Sequence, residues 1–223
     1  MTFKFASFSS LNSTLDSIKG APKYAPPYDS PIENDFAYQI VKYLKNNVQF
    51  EKQVSVDTKC GCFRLDFTAS HLGRCIGLEC DGKEFHCSTR DTWRDALLLK
   101  TGVIEVIYRF PGKDLAHNIN DCLFILSACE PQLFSERGLE NLKILASWEV
   151  KEKIGQKQVN DNTEWIFCGY KKFQNQSGIS VYRHHHGNSF LLEKSAFAEK
   201  HEGRNIDFLL EKFDSEKFEM FNS

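Results

Sequence analysis

Apolar residues in the first part of the chain recur at two different spacings. From Ser30 onward the spacing is three or four positions, which predicts a helix with one buried face. Ser30 suits the cap of this helix, Pro31 its first turn, and Glu33 a capping box. Residues 1–29 end in a proline-rich stretch and are expected to be extended. The apolar positions of the predicted helix are Ile32, Phe36, Ile40, Tyr43 and Leu44.

Three segments after this helix alternate apolar and polar residues, which predicts strands. The first contains Phe50, Val54 and Val56, and the other two cover residues 63–69 and 75–81. One face of the last two strands is expected to carry Phe63, Leu65, Phe67, Ile76, Leu78 and Cys80. The opposite face is expected to carry Arg64, Asp66, Thr68, Gly77, Glu79 and Asp81.

The later pattern alternates helices and strands. It predicts a helix over 89–101, an apolar strand over 103–110 and a helix over 115–128. The sequence thus indicates an α/β core over residues 30–130, built as a mixed β-sheet flanked by helices. A C-terminal α+β extension over 131–223 is expected to contain a helix near 139–148, a hairpin over 165–182 and helices over 190–201 and 206–218.

Composition narrows the class of protein. Hydrophobic residues make up 41% and charged residues 26%, as in ordinary globular proteins, and no apolar stretch is long enough to cross a membrane. The N-terminus lacks the apolar region of a secretory leader, so a cytoplasmic location and free thiols on the eight cysteines are expected. The net charge of −2 counts against a generally basic nucleic-acid binder but permits a local basic groove.

Three acidic residues lie on adjacent predicted strands. Asp66, Glu79 and Asp81 would repel one another if crowded, and a bound cation would offset that repulsion. Carboxylate oxygens suit Mg²⁺ or Mn²⁺. Gly82 follows at once and permits close backbone approach, and His86 comes next on the same loop. The alternative is that these strands only expose acidic surface.

The spacing of these residues resembles a known family. Its elements here are Phe50-x-x-Gln53, Leu65-Asp66-Phe67 and Ile76-x-x-Glu79-Cys80-Asp81-Gly82-x-x-x-His86, followed by Thr-Arg-Asp-Thr-Trp-Arg-Asp over 89–95 and Val-Ile-Tyr-Arg-Phe over 106–110. This series is similar to the very-short-patch-repair-like group of the PD-(D/E)xK endonuclease superfamily. The resemblance implies a restriction endonuclease-like fold and metal-dependent hydrolysis of phosphodiester bonds, with DNA as the substrate and Mg²⁺ or Mn²⁺ as the cofactor.

The resemblance also implies roles for single residues. Asp66 and Glu79 correspond to metal ligands, and the carbonyl of Cys80 is expected to complete the shell. Asp81 stands where the wider superfamily usually has lysine, which leaves the activating base open. His86 is a candidate for orienting or deprotonating the attacking water or protonating the leaving oxygen, or it only caps the next helix. Lys83 is a candidate for a relocated cation.

Four more residues have two interpretations each. Glu33 corresponds to a helix acid that some relatives place near the metal, but the capping box explains it equally well. Gln53 is interpreted first as a half-exposed strand residue. Arg94 and Asp95 form either an ion pair within their helix or a support for the site.

Other histidines and cysteines have simpler interpretations. Residues 183–186, Arg-His-His-His, are predicted to form a solvated loop because consecutive strand residues point to opposite faces. A zinc cluster is not expected because the cysteines lack a CxxC pair. The cysteines whose spacing excludes such a cluster are Cys60, Cys62, Cys75, Cys80 and Cys87.

Two other function classes stay open at the level of sequence. One is a catalytically inactive nuclease-fold module that binds nucleic acid or a protein partner, and the other is an RNA-directed nuclease. The extension carries local basic residues between 151 and 186, which suit a grip on nucleic acid, formation of a homodimer, or a structural wrapping of the core. Metal binding by Asp66 and Glu79 separates the catalytic hypothesis from the inactive one.

Overall fold

The computed structural model describes residues 21–82, 89–156, 165–169 and 178–221, and a single mixed sheet lies at its centre. Its strands are β1 (Gln49–Thr58), β2 (Gly61–His71), β3 (Arg74–Asp81), β4 (Val106–Pro111), β5 (Trp165–Gly169) and β6 (Gly178–His185). Their order across the sheet is β1-β2-β3-β4-β6-β5. β3 and β4 run parallel, and the other neighbouring pairs run antiparallel.

Helices cover both faces of the sheet, which confirms the predicted α/β class. They are α1 (Pro31–Ile40), α2 (Thr89–Lys100), α3 (Gly112–Cys129), α4 (Glu136–Leu145), α5 (Trp148–Gln156), α6 (Ser189–Lys200) and α7 (Ile206–Phe221). Residues of α1, α3, α4 and α5 form one core with the sheet, and residues of α2 and α6 form another on the opposite face. α7 packs on α2 and α6 through a third apolar cluster. None of the helices in the described part of the chain is long and apolar enough to span a membrane.

Helix α1 begins as the sequence predicts. The hydroxyl of Ser30 accepts a hydrogen bond from the N–H of Glu33 at 3.2 Å, and Pro31 occupies the first turn. Phe36 and Ile40 are fully buried against the sheet. Burial of this face fixes α1 beside β2 and β3, which places its first turn near the acidic residues of those strands.

The two faces of β2 are exchanged halfway along the strand, so the prediction that Phe63, Leu65 and Phe67 share one face is wrong. Phe67 lies in the core beneath α1 and α3, whereas Leu65 and Phe63 belong to the core beneath α2 and α6. Gly77 confirms the position of Leu65, because a Cβ on this glycine would lie 3.2 Å from the Leu65 side chain.

The exchange of faces coincides with an irregular backbone in the neighbouring strand β1. Lys52 pairs with Phe67 and Val54 with Leu65, so Gln53 and Asp66 lie between these pairs. Gln53 has a φ of +53°, a left-handed backbone conformation that residues other than glycine adopt only at a cost in free energy. Simple alternation cannot continue through such a residue. Asp66 therefore lies at the point where the apolar side chains of β2 switch from one side of the sheet to the other.

The C-terminal extension continues the sheet of the core. β6 pairs antiparallel with β4, with Ile107 opposite His184, and β5 pairs antiparallel with β6 as the predicted hairpin. Residues 170–177, which connect β5 to β6, lie outside the described residues. The two helices predicted over 190–201 and 206–218 are confirmed as α6 and α7.

Two details of the extension differ from the sequence prediction. The helix expected near 139–148 is two helices, because Ala146 is extended and Asp121 binds the N–H of Ser147 at 2.6 Å between them. The prediction of a solvated loop over 183–186 is wrong for the first three of these residues. Arg183, His184 and His185 belong to β6 and are buried, and His186 is exposed.

Candidate active site

Asp66 is bound to the strand beside it through its own side chain. Oδ2 of Asp66 accepts a hydrogen bond from the backbone N–H of Cys80 at 2.8 Å. Cys80 directly follows Glu79 in β3, so this bond holds Asp66 against the strand that carries the other predicted metal ligand. A carboxylate that replaces a carbonyl as the acceptor of a strand N–H is fixed by the sheet itself.

Glu79 is almost completely buried, with 4% of its surface exposed. Its Oε2 lies 2.7 Å from Nη2 of Arg94 on α2. Its Oε1 is buried and has no hydrogen-bond partner among the described residues. Burial, with help from the nearby charge of Asp66, raises the pKa of Glu79 to about 8 against the opposing effect of Arg94.

The pKa of Asp66 is also raised, to about 6. Burial is the largest cause, and the charges of Glu33 and Asp81 act in the same direction. The hydrogen bond from Cys80 and the charge of Arg94 oppose the rise. Near pH 7 Glu79 is therefore mostly neutral and Asp66 mostly ionised. A positive charge at this point would favour the ionised form of both carboxyl groups.

The thiol of Cys80 is influenced by the charges of several acids. Burial raises its pKa well above the usual value, and four carboxylates add to that rise. They are Asp66, Glu33, Glu79 and Asp81. The four acidic residues that the sequence proposes for the site thus act electrostatically on the same buried side chain.

Asp81 is held by a cation rather than left free. Its Oδ1 lies 2.8 Å from Nη1 of Arg109, whose Nε and Nη2 bind the two oxygens of Asp95 at 2.7 and 2.8 Å. Burial raises the pKa of Asp81, and Arg109 opposes that rise. Oδ2 of Asp95 also lies 2.6 Å from Nδ1 of His184.

These contacts distinguish the two interpretations of Arg94 and Asp95. Their closest mutual approach is 3.9 Å, between Nε and Oδ1, whereas each makes a shorter contact elsewhere. Arg94 contacts Glu79, and Asp95 contacts Arg109 and His184. Both residues therefore lie around the acidic group and support it.

Gln53 connects Glu33 to the strands. Its Nε2 donates a hydrogen bond to Oε2 of Glu33 at 2.8 Å, and its Oε1 is buried without a partner among the described residues. Oε2 of Glu33 also accepts the N–H of Asp29 at 3.4 Å. Ser30 caps α1, but the Glu33 carboxylate is directed by Gln53 and Asp29. Gln53 is thus a part of the site, although the sequence pattern alone favours an ordinary strand residue at this position.

Several predicted residues lie outside the described residues. Lys83, His86 and Cys87 belong to the segment 83–88, so their roles stay predictions. The role of the Cys80 carbonyl as a ligand also stays a prediction. The other seven cysteines form no disulfide with one another in the structure.

The donors of the site suit a hard divalent cation. Within the described ranges, no group of three or more His, Cys, Asp and Glu side chains is already gathered closely enough to hold a metal ion. The chemistry nevertheless fits, because Glu79 Oε1 and Gln53 Oε1 are buried acceptors without donors. Unpaired buried oxygens are costly, and Mg²⁺ or Mn²⁺ would satisfy oxygen ligands of this kind.

Comparison with known proteins gives no relative. No protein-family model, no curated protein and no solved structure matches the chain.

Proposed function

We propose that this protein is a divalent-metal-dependent endonuclease with a restriction endonuclease-like core, and that it hydrolyses phosphodiester bonds in DNA. The observation that supports this proposal most is the bond between Asp66 and the N–H of Cys80. It joins the side chain of Asp66 to the residue that follows Glu79, so that two separate motifs of the sequence are connected at this point. Arg94 orients the second of them, Glu79.

Asp66 and Glu79 are the residues that would hold Mg²⁺ or Mn²⁺. When bound, such an ion polarises a phosphate and makes water a stronger acid. Cys80, through its N–H, and Arg94 hold the two carboxylates in place, so little reorganisation is needed when substrate arrives. Asp81 and Glu33 add negative charge near the same point, where each is able to accept a hydrogen bond from a water molecule.

Hydrolysis requires a nucleophile and a proton donor. A water oxygen bonds to phosphorus, the bond from phosphorus to the leaving oxygen breaks, and the water proton passes to a base. Asp81 and Glu33 are the described acids available to accept that proton. His86 is the residue that the sequence nominates to protonate the leaving oxygen.

A cleavage assay tests the proposal directly. Plasmid DNA, single-stranded DNA and RNA are each incubated with the protein in Mg²⁺, in Mn²⁺ and in chelator. We expect divalent-dependent cleavage of DNA that is lost in Asp66→Asn and Glu79→Gln but kept in Glu51→Gln, which removes an exposed acid of β1. Equal cleavage by the parent and by Glu79→Gln would contradict the proposal, and cleavage of RNA alone would redirect it to an RNA nuclease.

A second candidate is a nuclease-fold module without catalysis that binds nucleic acid or a protein partner. The ion pair of Arg94 with Glu79 favours it, because this cation occupies one oxygen of a predicted ligand. The two candidates differ in metal binding. If the protein is the enzyme, calorimetric titration should show that it binds Mn²⁺ and that Glu79→Gln loses this binding. If it is the inactive module, the parent protein itself should not bind Mn²⁺.

A further inference from the structure

His184 lies at one end of a buried charge network that leads to the acidic residues. Its side chain is 4% exposed, and its Nδ1 is 2.6 Å from Oδ2 of Asp95, which is fully buried. Burial by itself would raise the pKa of Asp95, but Arg109 and His184 hold that pKa well below its usual range. Asp95 is therefore an ionised acceptor, and Nδ1 of His184 must carry the proton that they share in this contact.

Arg109 has its hydrogen-bonding geometry set by Asp95. The guanidinium is 1% exposed and gives Nε and Nη2 to the two oxygens of the Asp95 carboxylate. This paired contact fixes the plane of the guanidinium. The remaining nitrogen, Nη1, then points to Oδ1 of Asp81 at 2.8 Å.

We infer that His184 is a positioning residue of the proposed active site, through which the C-terminal extension fixes Asp95, Arg109 and, at the end of the series, Asp81. The inference rests on the proposed function, and it gives the extension a role there. His184 would thus set the orientation of Asp81, the acid at the end of β3, without contacting the substrate itself.

The physical basis is the cost of a buried charge without a partner. Asp95 Oδ2 receives both Arg109 Nε and His184 Nδ1. If His184 loses its N–H, one bond to a fully buried carboxylate disappears, and the carboxylate and the guanidinium are free to rotate together. Rotation of Arg109 would move Nη1 away from Asp81, whose side chain is only 12% exposed.

The fold explains why this residue comes from so far along the chain. β6 pairs with β4 so that His184 stands opposite Ile107, two residues before Arg109 on the same strand. Alternation puts His184, Ile107 and Arg109 on the face covered by α2, which carries Asp95. Residues 30–130 without β6 would lack the donor that completes the network.

Three substitutions in the full chain test the inference. His184→Leu removes the donor, whereas His184→Asn keeps an N–H close to the position of Nδ1. His185→Leu is the matched control, because His185 is the neighbouring histidine of the same strand, is 7% exposed, and bonds to Asn188 instead. The measurements are the thermal unfolding temperature, the Mn²⁺ affinity by calorimetry, and kcat and KM for DNA cleavage.

We expect His184→Leu to weaken Mn²⁺ binding and to lower kcat by about tenfold to a hundredfold, as loss of an outer-shell partner usually does. His184→Asn should recover much of both, and His185→Leu should lower the unfolding temperature while keeping the Mn²⁺ affinity of the parent. The imidazole of His184 in the parent should also show a proton on Nδ1 by ¹⁵N NMR.

The outcomes separate this inference from the proposed function. If the parent binds Mn²⁺ and cleaves DNA but His184→Leu does so equally well, only the positioning role is overturned. The same follows if His184→Asn and His184→Leu are equally impaired, or if His185→Leu loses as much Mn²⁺ affinity. If the parent neither binds Mn²⁺ nor cleaves nucleic acid, the proposed function and the positioning role are overturned together.

Discussion

Nη2 of Arg94 lies 2.7 Å from Oε2 of Glu79, so a cation from α2 contacts the buried acid at the centre of the proposed site. The contact leaves Oε1 of Glu79 without a partner among the described residues. Arg94 thus holds one oxygen and leaves the other available. It also opposes the rise in the Glu79 pKa that burial causes.

Replacement of Arg94 should make Glu79 harder to ionise. In Arg94→Met the pKa of Glu79 should rise above about 8, because Arg94 is the first of the charges that oppose the effect of burial. Mn²⁺ must displace the Glu79 proton, so the midpoint of Mn²⁺ binding should move to higher pH. Calorimetric titrations from about pH 6 to about pH 9 would measure the shift. Arg94→Lys keeps a positive charge and should show a smaller shift, and an unchanged midpoint in Arg94→Met would contradict the prediction.

Removal of the charge on either acid should separate activity from folding. Asp66→Asn and Glu79→Gln should lower divalent-dependent cleavage by on the order of a hundredfold or more, because the proposed metal loses a ligand. Glu79→Gln should cost little stability near pH 7, since the amide resembles the neutral carboxyl group that burial already favours. Chemical unfolding of the metal-free proteins measures the second effect. A Glu79→Gln protein that is unfolded, or one that retains full cleavage, would be inconsistent with this account.

The raised pKa values predict how stability depends on pH without metal. Asp66 titrates at about 6 in the folded protein against an ordinary 3.8, and Glu79 at about 8 against an ordinary 4.5. Between these values the folded state binds more protons than the unfolded state, so the contribution of these groups to the free energy of unfolding falls as pH rises from about 4 to about 8. Above about pH 8 this contribution to the free energy of unfolding should stay constant.

Urea unfolding in chelator, compared between the parent and Glu79→Gln, isolates the contribution of Glu79. The variant should become more stable relative to the parent as pH rises through this window, because it has no carboxyl group to ionise. A difference in unfolding free energy that stays constant from about pH 5 to about pH 8 would show that Glu79 titrates at an ordinary pKa.

The left-handed backbone at Gln53 predicts an inverted order of two substitutions. Both Gln53→Ala and Gln53→Gly lose the bond to Glu33, but only glycine adopts a φ of +53° without strain. Gln53→Gly should therefore be more stable than Gln53→Ala by about 1 kcal/mol, whereas glycine is usually the weaker strand residue. Urea unfolding measures the difference. Both variants should lose cleavage to a similar degree, and an alanine variant as stable as the glycine variant would argue against strain.

The elements that sequence predicts well are those with a sustained period. Helix α1 follows from its apolar spacing and from Ser30, and the C-terminal helices α6 and α7 follow in the same way. Asp66 and Glu79 stay predicted metal ligands, and the structure adds the hydrogen bond from the N–H of Cys80, the residue after Glu79, to Asp66.

What the sequence could not predict depends on contacts between distant segments. The change of face between Leu65 and Phe67 lies beside Gln53 of the neighbouring strand, a residue type that gives no indication of a left-handed backbone. His184 belongs to a run of polar residues that suggests solvent, and its burial depends on Asp95 in another element. Local polarity cannot reveal a buried charge whose partner lies many residues away.

The place of β6 in the sheet determines when the network can form during synthesis. β4 has β3 on one side and β6 on the other, and Val106 pairs with His185, which follows much later in the sequence. A nascent chain that ends before β6 presents β4 as an open edge, with Asp95 and Arg109 still lacking their histidine. The network that aims Asp81 is completed only after β6 has been made, so a shorter nascent chain carries the acidic residues without the assembled site.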